Sequence, residues 1–174
     1  CGCTDTVVLA RRTATALRLH VANVGDSRSV IVDSMRGEWR VSYDHRPTDP
    51  SEVRRIEHEG GFVSRGRVAG QLGVSRALGD HSLKGSGVSW RPHVLARDAT
   101  NDAALVIASD GLWDAMADMD AKHVVLRSMS ERSPEQAAQL LVSEAERRGS
   151  TDNITCLVAY FDGASQLTPM DRYH

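Results

Sequence analysis

A continuous apolar run constrains the fold of this chain more than any other feature. Ala103–Ala108 carries no polar residue and stops at Ser109, Asp110 and Gly111. A run of this length predicts a β-strand, and its lack of alternation predicts burial on both faces. We therefore expect other elements on both sides of this strand, and we expect its end to hold Asp110 rigidly.

The segments before this run have the pattern of strands. Leu17, Leu19 and Val21 alternate with polar residues, which is the period of two of a strand with one buried face. Gly25 and Asp26 then interrupt the chain before the next apolar segment. This arrangement predicts a tight antiparallel meander.

Helix start signals mark three further segments. Asp49 precedes a proline and is followed by Glu52 three residues later, which is a capping-box arrangement. Asp118 is expected to cap a second helix, and Ser133 opens a third with another capping box. A final strand is expected over Ile154–Phe161. Together with the strands, these helices indicate an α+β fold with antiparallel sheets.

Length and composition bound the class of protein. The 174 residues suit one domain, expected over residues 1–162, with a polar tail at 163–174. The net charge of −2 gives no electrostatic reason to expect binding to nucleic acid or an anionic membrane. Three cysteines and no secretory leader favour a reduced intracellular compartment, cytoplasmic or nuclear.

Aspartates at predicted strand ends are the candidate functional residues. Asp110 follows the buried strand, Asp152 precedes the last one, and Asp26 lies beside a glycine at an earlier strand end. Asp114 faces the same site as Asp110 if the turn between them is helical. Each aspartate also has a structural interpretation as a turn or helix-cap residue. Taken together, the carboxylates predict an all-oxygen site suited to magnesium or manganese, and no close His/Cys cluster suggests zinc.

With these motifs the chain resembles the metal-dependent serine/threonine protein phosphatases of type 2C, the PPM family. The similarity extends from Gly2 to about Phe161. The matching segments, in the family's order, are Gly2–Thr4, Ala22–Arg28, Asp44–Pro47, Arg67–Asp80, Ala108–Asp114 and Asp152–Thr155.

The resemblance implies a fold and a set of site residues. The fold is a partial αββα sandwich, in which helices flank two antiparallel sheets and the family's N-terminal strands are missing. Asp110 and Asp152 match catalytic residues that ligate a pair of Mg²⁺ or Mn²⁺ ions. Asp26 and Asp114 match residues tied to a weaker third metal. A variable flap is expected around His81–Trp90.

Three other residues of these motifs have interpretations that the structure can test. His45 is expected to be structural, and Trp113 is expected to pack in the core behind Asp110. For Arg76 two interpretations stay open: it either holds the flap or has a plain surface or packing role.

The activity implied by the resemblance is hydrolysis of phosphoserine and phosphothreonine in phosphoprotein substrates by a metal-activated water. The family's upstream Asp-Gly-His-Gly-Gly segment does not occur in this sequence. We therefore expect weak activity from the chain alone, and sheet faces that a missing N-terminal segment or another chain covers. The alternative is a non-catalytic pseudophosphatase that acts as a protein-interaction module. Retention of Asp110 and Asp152 favours the enzyme.

Overall fold

A computed structural model describes residues 1–33, 37–100 and 102–161, so the expected tail at 163–174 lies outside the described residues. Its strands are β1 (Gly2–Cys3), β2 (Asp5–Arg12), β3 (Leu17–Val24), β4 (Arg28–Asp33), β5 (Gly37–Arg40), β6 (Val63–Ser64), β7 (Arg67–Val68), β8 (Leu78–Gly79), β9 (His93–Asp98), β10 (Ala104–Ala108) and β11 (Cys156–Tyr160). Its helices are α1 (Pro50–His58), α2 (His81–Lys84), α3 (Asp110–Trp113), α4 (Asp118–Ser128) and α5 (Pro134–Arg147).

The chain divides into two compact units. The first contains Cys1–Val8, His20–Ser27 and Ser42–Leu95, and the second contains Leu9–Leu19, Arg28–Val41 and the described residues from Ala96 onward. Antiparallel sheets together with helices confirm the α+β prediction. Within the described ranges, every helix is too short or too polar to cross a membrane.

In the second unit, β10 is an interior strand of a four-stranded antiparallel sheet with the order β11–β10–β4–β5. Ala108 lies opposite Cys156 on one side and Arg28 on the other. Four of the five β10 residues are buried, which confirms the burial expected from the sequence. Helices α4 and α5 bury Val125, Leu141 and other apolar side chains in the same core cluster as Val106 of β10.

The tight meander predicted around Gly25 is wrong. β3 lies between β2 and β9 in a three-stranded sheet, whereas β4 pairs with β10 and β5. All six residues of β4 are buried, so this strand satisfies its backbone as an interior strand of another sheet. Asp26 is therefore not the turn residue of a β3–β4 hairpin.

The capping predictions for α4 and α5 have different outcomes. At α5, Ser133 and Gln136 form the predicted capping box. At α4, the N-cap is Ala117, which makes no side-chain cap. The Asp118 carboxylate instead accepts from Arg28 Nη1 at 2.5 Å and Arg40 Nε at 3.0 Å. Two guanidinium groups from neighbouring strands therefore bind the carboxylate that was predicted to cap the helix.

In the first unit, α1 packs on a small apolar core. Ile56 of α1, Val68, Ala77 and Val88 are all buried there. Short strands and turns fill the stretch from Phe62 to Gly87, as predicted, and include the β6–β7 hairpin and the single-turn helix α2.

Asp49 caps α1 as predicted, but Glu52 does not complete a capping box. Asp49 accepts from the backbone N–H groups of Ser51 and Glu52. The Glu52 side chain is 2% exposed and accepts from Ser75 Oγ at 2.6 Å and Arg76 Nη2 at 2.6 Å, and from Arg55 Nη2 at 2.8 Å. Burial alone raises the pKa of Glu52, but the hydrogen bonds from Arg76, Arg55 and Ser75 outweigh burial and lower the pKa.

Arg76 links three segments of the first unit. Its guanidinium donates to Glu52 on α1 and, through Nη1, to the carbonyl of Arg91 at 2.9 Å. Arg76 therefore ties residues 75–91 to the helix, which shows a packing role, while its role in holding a flap stays a prediction.

His45 is structural, as expected. It is fully buried, and its Nδ1 lies 3.2 Å from Gly25 N and 3.0 Å from Gly25 O. Its Nε2 makes no hydrogen bond to any described residue. Burial, followed by the positive charge of Arg76, lowers the pKa of His45 to about 4, so the folded protein holds a neutral imidazole.

The buried His45 predicts a loss of stability in mild acid. The unfolded chain binds a proton near the ordinary pKa of 6.5, whereas the folded chain does not until about 4. The free energy of unfolding should therefore fall by about 1–2 kcal/mol as the pH drops from about 6.5 to about 5. Urea unfolding of the wild type and of His45→Gln over this range measures the difference, and an equal pH dependence in both would contradict the assignment.

The Glu52 network predicts a large stability cost when its carboxylate is removed. Glu52→Gln leaves the partly buried guanidinium of Arg76 without its anion and leaves Arg55 with only the exposed Glu59 as a partner, so it should lower the free energy of unfolding by about 3–5 kcal/mol. Glu57→Gln is the matched control, because Glu57 is exposed on the same helix. The control should change stability by less than about 0.5 kcal/mol. Similar losses in both variants would show that the network does not stabilise this unit.

Candidate metal centre

Asp110 lies where the buried strand β10 passes into a helical turn. Ser109 has an extended backbone, and α3 begins at Asp110 itself. The Asp114 N–H donates to the Asp110 carbonyl at 2.8 Å, so the turn between them is helical. A helical turn was the condition under which Asp114 was expected to face the same site as Asp110. Side chains four residues apart on a helix lie on one face. Asp110 is half-buried and Asp114 is exposed.

Asp152 lies in the loop that joins α5 to β11, four residues before the strand begins. The sequence placed Asp152 directly before a strand starting at Ile154, but β11 starts at Cys156. Asp152 is exposed, and its Oδ1 accepts the backbone N–H of Asn153 at 2.7 Å. This bond goes to the next residue and not to the residue two positions on that an Asx-turn requires, so the turn interpretation of Asp152 stays a prediction.

Hydrogen bonds join the two aspartate-bearing segments of the second unit. Beyond the end of β10, the Ser109 N–H donates to the Thr155 carbonyl at 3.0 Å, and the Thr155 N–H donates to Ser109 Oγ at 3.1 Å. Ser109 Oγ lies 3.2 Å from the Asn153 carbonyl, and Ser150 Oγ donates to the Gly111 carbonyl at 2.6 Å. The backbones on which Asp110 and Asp152 are mounted are therefore fixed to each other.

Gly111 permits this close approach. A Cβ at residue 111 would lie 2.4 Å from the Asn153 carbonyl oxygen and 3.3 Å from Ile154 Cγ1. Real side chains do not tolerate a contact of 2.4 Å, so the glycine after Asp110 is required by packing between the two loops.

The serines were missed as part of the site by reasoning from the sequence. No role in the site was predicted for Ser109 or Ser150, yet their hydroxyl groups connect the two loops. The sequence did contain a signal for these serines, because Ser109 lies one position before Asp110 and Ser150 lies two positions before Asp152.

Trp113 packs in the core behind Asp110, as expected. Its indole Nε1 donates to the Ala108 carbonyl at 3.1 Å, and only 5% of the residue is exposed. The guanidinium carbon of Arg28 lies 5.1 Å from the ring centroid. Trp113 therefore supports the α3 turn and is shielded from solvent.

Asp26 belongs to the first unit. It is 8% exposed, and its Oδ2 lies 3.9 Å from Arg46 Nε. The neighbouring Gly25 is in close contact with Thr4, whose Oγ1 lies 2.8 Å from Ser27 Oγ. A packed loop thus fixes this aspartate, while its role as a metal ligand stays a prediction, as does that of Asp114.

The donor chemistry fits a hard divalent cation, but the ligand set is partial. Asp110 and Asp152 offer carboxylate oxygens from two joined loops, which suits Mg²⁺ or Mn²⁺. Within residues 1–33, 37–100 and 102–161, however, no three His, Cys, Asp or Glu side chains gather into a group able to hold a metal. A metal bound at Asp110 and Asp152 would need further ligands to complete its coordination shell.

The close contact at Gly111 predicts a position-specific effect. Gly111→Ala should lower the free energy of unfolding by about 1–3 kcal/mol, because the new methyl group forces the Asp152 loop away from the α3 turn. Gly85→Ala is the matched control, since a Cβ there meets nothing within 4 Å. Urea unfolding of both variants checks this. Equal stability of the two variants would refute the close packing of the loops.

Comparison with known proteins supports the resemblance. The family model of protein phosphatase 2C matches residues 1–154. Protein phosphatase 2C homolog 1 of Schizosaccharomyces pombe is 41% identical over 162 residues, covering 91% of this chain and 45% of that protein. Its namesake in Saccharomyces cerevisiae is 39% identical over 144 residues, covering 82% of this chain and 50% of that protein. The chain thus spans about half the length of these curated relatives.

A solved structure agrees with the sequence comparisons. Serine-threonine phosphatase 2C from Toxoplasma gondii matches with a TM-score of 0.74 and 28% identity, covering 91% of this chain and 58% of that chain. The motifs, the fold and the family model are therefore in agreement. This chain belongs to the protein phosphatase 2C family.

Proposed function

We propose that the full-length protein containing this chain hydrolyses phosphoserine and phosphothreonine in phosphoproteins, with Mg²⁺ or Mn²⁺ as cofactor. The observation that carries the proposal is the set of hydrogen bonds through Ser109 and Ser150, which fixes the Asp110 and Asp152 loops to each other. Family membership supports the reaction type, and the carboxylates supply the donors that such ions prefer. An intracellular location is part of the same proposal.

The proposal assigns a role to each residue of the candidate metal centre. Asp110 and Asp152 hold the metal pair, and Asp114 serves a weaker third ion. For Asp26, in the first unit, a tie to such an ion is what the family resemblance implies. A bound divalent cation supplies charge neutralisation for the phosphoryl oxygens and lowers the pKa of water. Ser109 and Ser150 keep the two carboxylate-bearing loops together, and Gly111 allows their close approach. Further ligands complete the coordination shell.

Exposed apolar side chains are consistent with a larger protein. Val7 and Leu9 of β2 are 53% and 63% exposed, and Val94 of β9 is 66% exposed. Large apolar groups on sheet faces are usually covered. We propose that a segment beyond this chain, or another chain, covers them in the complete protein.

The proposal predicts metal-dependent turnover that requires both aspartates. Full-length protein should release phosphate from a phosphothreonine peptide with Mn²⁺ or Mg²⁺ and should stop when the metal is chelated. Asp110→Asn and Asp152→Asn should each lower kcat/KM by about 100-fold or more, because the amide keeps the shape but loses the charge that holds the cation.

Asp5→Asn is the matched control, because Asp5 is an exposed aspartate on β2. It should retain wild-type turnover. Activity that survives chelation, or full turnover in either site variant, would rule out the proposed roles. A folded full-length protein without any turnover would favour the pseudophosphatase alternative.

A further inference from the structure

Residues 61–92 are cationic within an acidic chain. This stretch contains the flap expected at His81–Trp90 together with the residues that lead into it, and we call it the flap segment. The segment contains five basic residues and a single acidic one, Asp80, whereas the whole chain has a net charge of −2. The basic residues of the flap segment are Arg65, Arg67, Arg76, Lys84 and Arg91. The segment is part of the first unit and folds on the core of Ile56, Val68, Ala77 and Val88.

Three of these basic side chains make hydrogen bonds inside the unit, and the other two face solvent. Arg67 Nη1 donates to the Gln71 carbonyl at 2.8 Å. Arg76 is held by Glu52, and Lys84 Nζ donates to the Ala77 carbonyl at 2.6 Å. Arg65 and Arg91 are exposed, and their side chains form no ion pair with any described residue. These two guanidinium groups are therefore available to an external anion.

Arg65 has an unusual, left-handed backbone conformation. Arg65 and Gly66 form the two-residue loop between β6 and β7, with φ angles of 52° and 72°. Such a loop favours Asn or Gly at its first position, because both central residues are left-handed. The other non-glycine residues with positive φ in the described chain, Ala69 and Asp80, also lie in the flap segment. Residues kept in disfavoured conformations concentrate at functional sites.

Exposed aromatic side chains occur in the same segment. Trp90, directly before Arg91, is 62% exposed, and Phe62 is 57% exposed. Tryptophan and arginine are the residues that most often dominate the energy of protein–protein interfaces. A guanidinium beside an exposed indole offers both charge complementarity and apolar contact to a peptide.

We propose that the exposed surface of the flap segment binds an acidic stretch of protein, with Arg65 and Arg91 pairing with its carboxylates and Trp90 providing apolar contact. Assigning that stretch to the phosphoprotein substrate rests on the function proposed above. The surface is thus a determinant of substrate choice, favouring sites flanked by Asp or Glu. Arginine suits this task because it binds carboxylates through two parallel hydrogen bonds.

The test compares two fluorescent peptides that differ only in Glu against Gln at the same positions. Fluorescence anisotropy should show that full-length protein binds the Glu peptide about tenfold more tightly at low salt, and that added salt reduces the difference. The double variant Arg65→Glu with Arg91→Glu should lose the preference. Arg54→Glu is the matched control, with the same charge change at an exposed position of α1, and should keep it.

A second variant separates binding from folding. Arg65→Gly relieves the left-handed position and should make the protein as stable as, or more stable than, the wild type, yet it should weaken binding of the Glu peptide. Weaker binding together with undiminished stability supports a recognition role, and unchanged binding overturns it.

Other outcomes also decide the proposal. Equal affinity for both peptides, an equal loss in Arg54→Glu, or tighter binding of a single-stranded oligonucleotide of the same charge would each overturn it. Because the binding measurement requires no turnover, a failure here leaves the hydrolysis test above intact. Conversely, an inactive protein that prefers the Glu peptide would refute the proposed function but would support the proposal that this surface binds acidic peptides.

Discussion

The pairing of Ser109 with Thr155 beyond the ends of β10 and β11 is the interaction on which the candidate metal centre depends. It continues the antiparallel register past Ala108, where regular strand structure stops. Hydrogen bonds at both strand ends place two loops at one edge of a rigid sheet, and each loop carries one aspartate. Because the sheet is fixed by buried apolar side chains, the positions of these loops follow from the packing of the core.

A second, independent constraint organises the first unit. Glu52 is a buried anion that receives hydrogen bonds from Ser75, Arg76 and Arg55, so a helix and an irregular segment are joined by charge. The irregular segment buries Val68, Ala77 and Val88 in a small core, and the directed hydrogen bonds to Glu52 add specificity to this packing. In the same unit, Arg65 and Arg91 of the flap segment face solvent, which is why that surface is a candidate for recognition.

Local patterns in the sequence predicted local structure well and non-local pairing poorly. The apolar run at Ala103–Ala108 and the capping box at Ser133 were correct, because burial and capping involve neighbouring residues. The roles of Asp118 and Glu52 were wrong, since arginines distant in sequence compete successfully for both carboxylates. For the site, the sequence proposed the aspartates, whose role as metal ligands stays a prediction. The serines that join their loops act through contacts about 40 residues apart, which no local pattern reveals.

The central claim is that Asp110 and Asp152 share one metal centre, and crystallography of the full-length protein with Mn²⁺ tests it most directly. Anomalous scattering locates manganese without any assumption about activity. The account predicts anomalous peaks at coordination distance, about 2.1 Å, from carboxylate oxygens of both aspartates. Peaks bound to only one of them, or manganese elsewhere with both carboxylates free of metal, would contradict it.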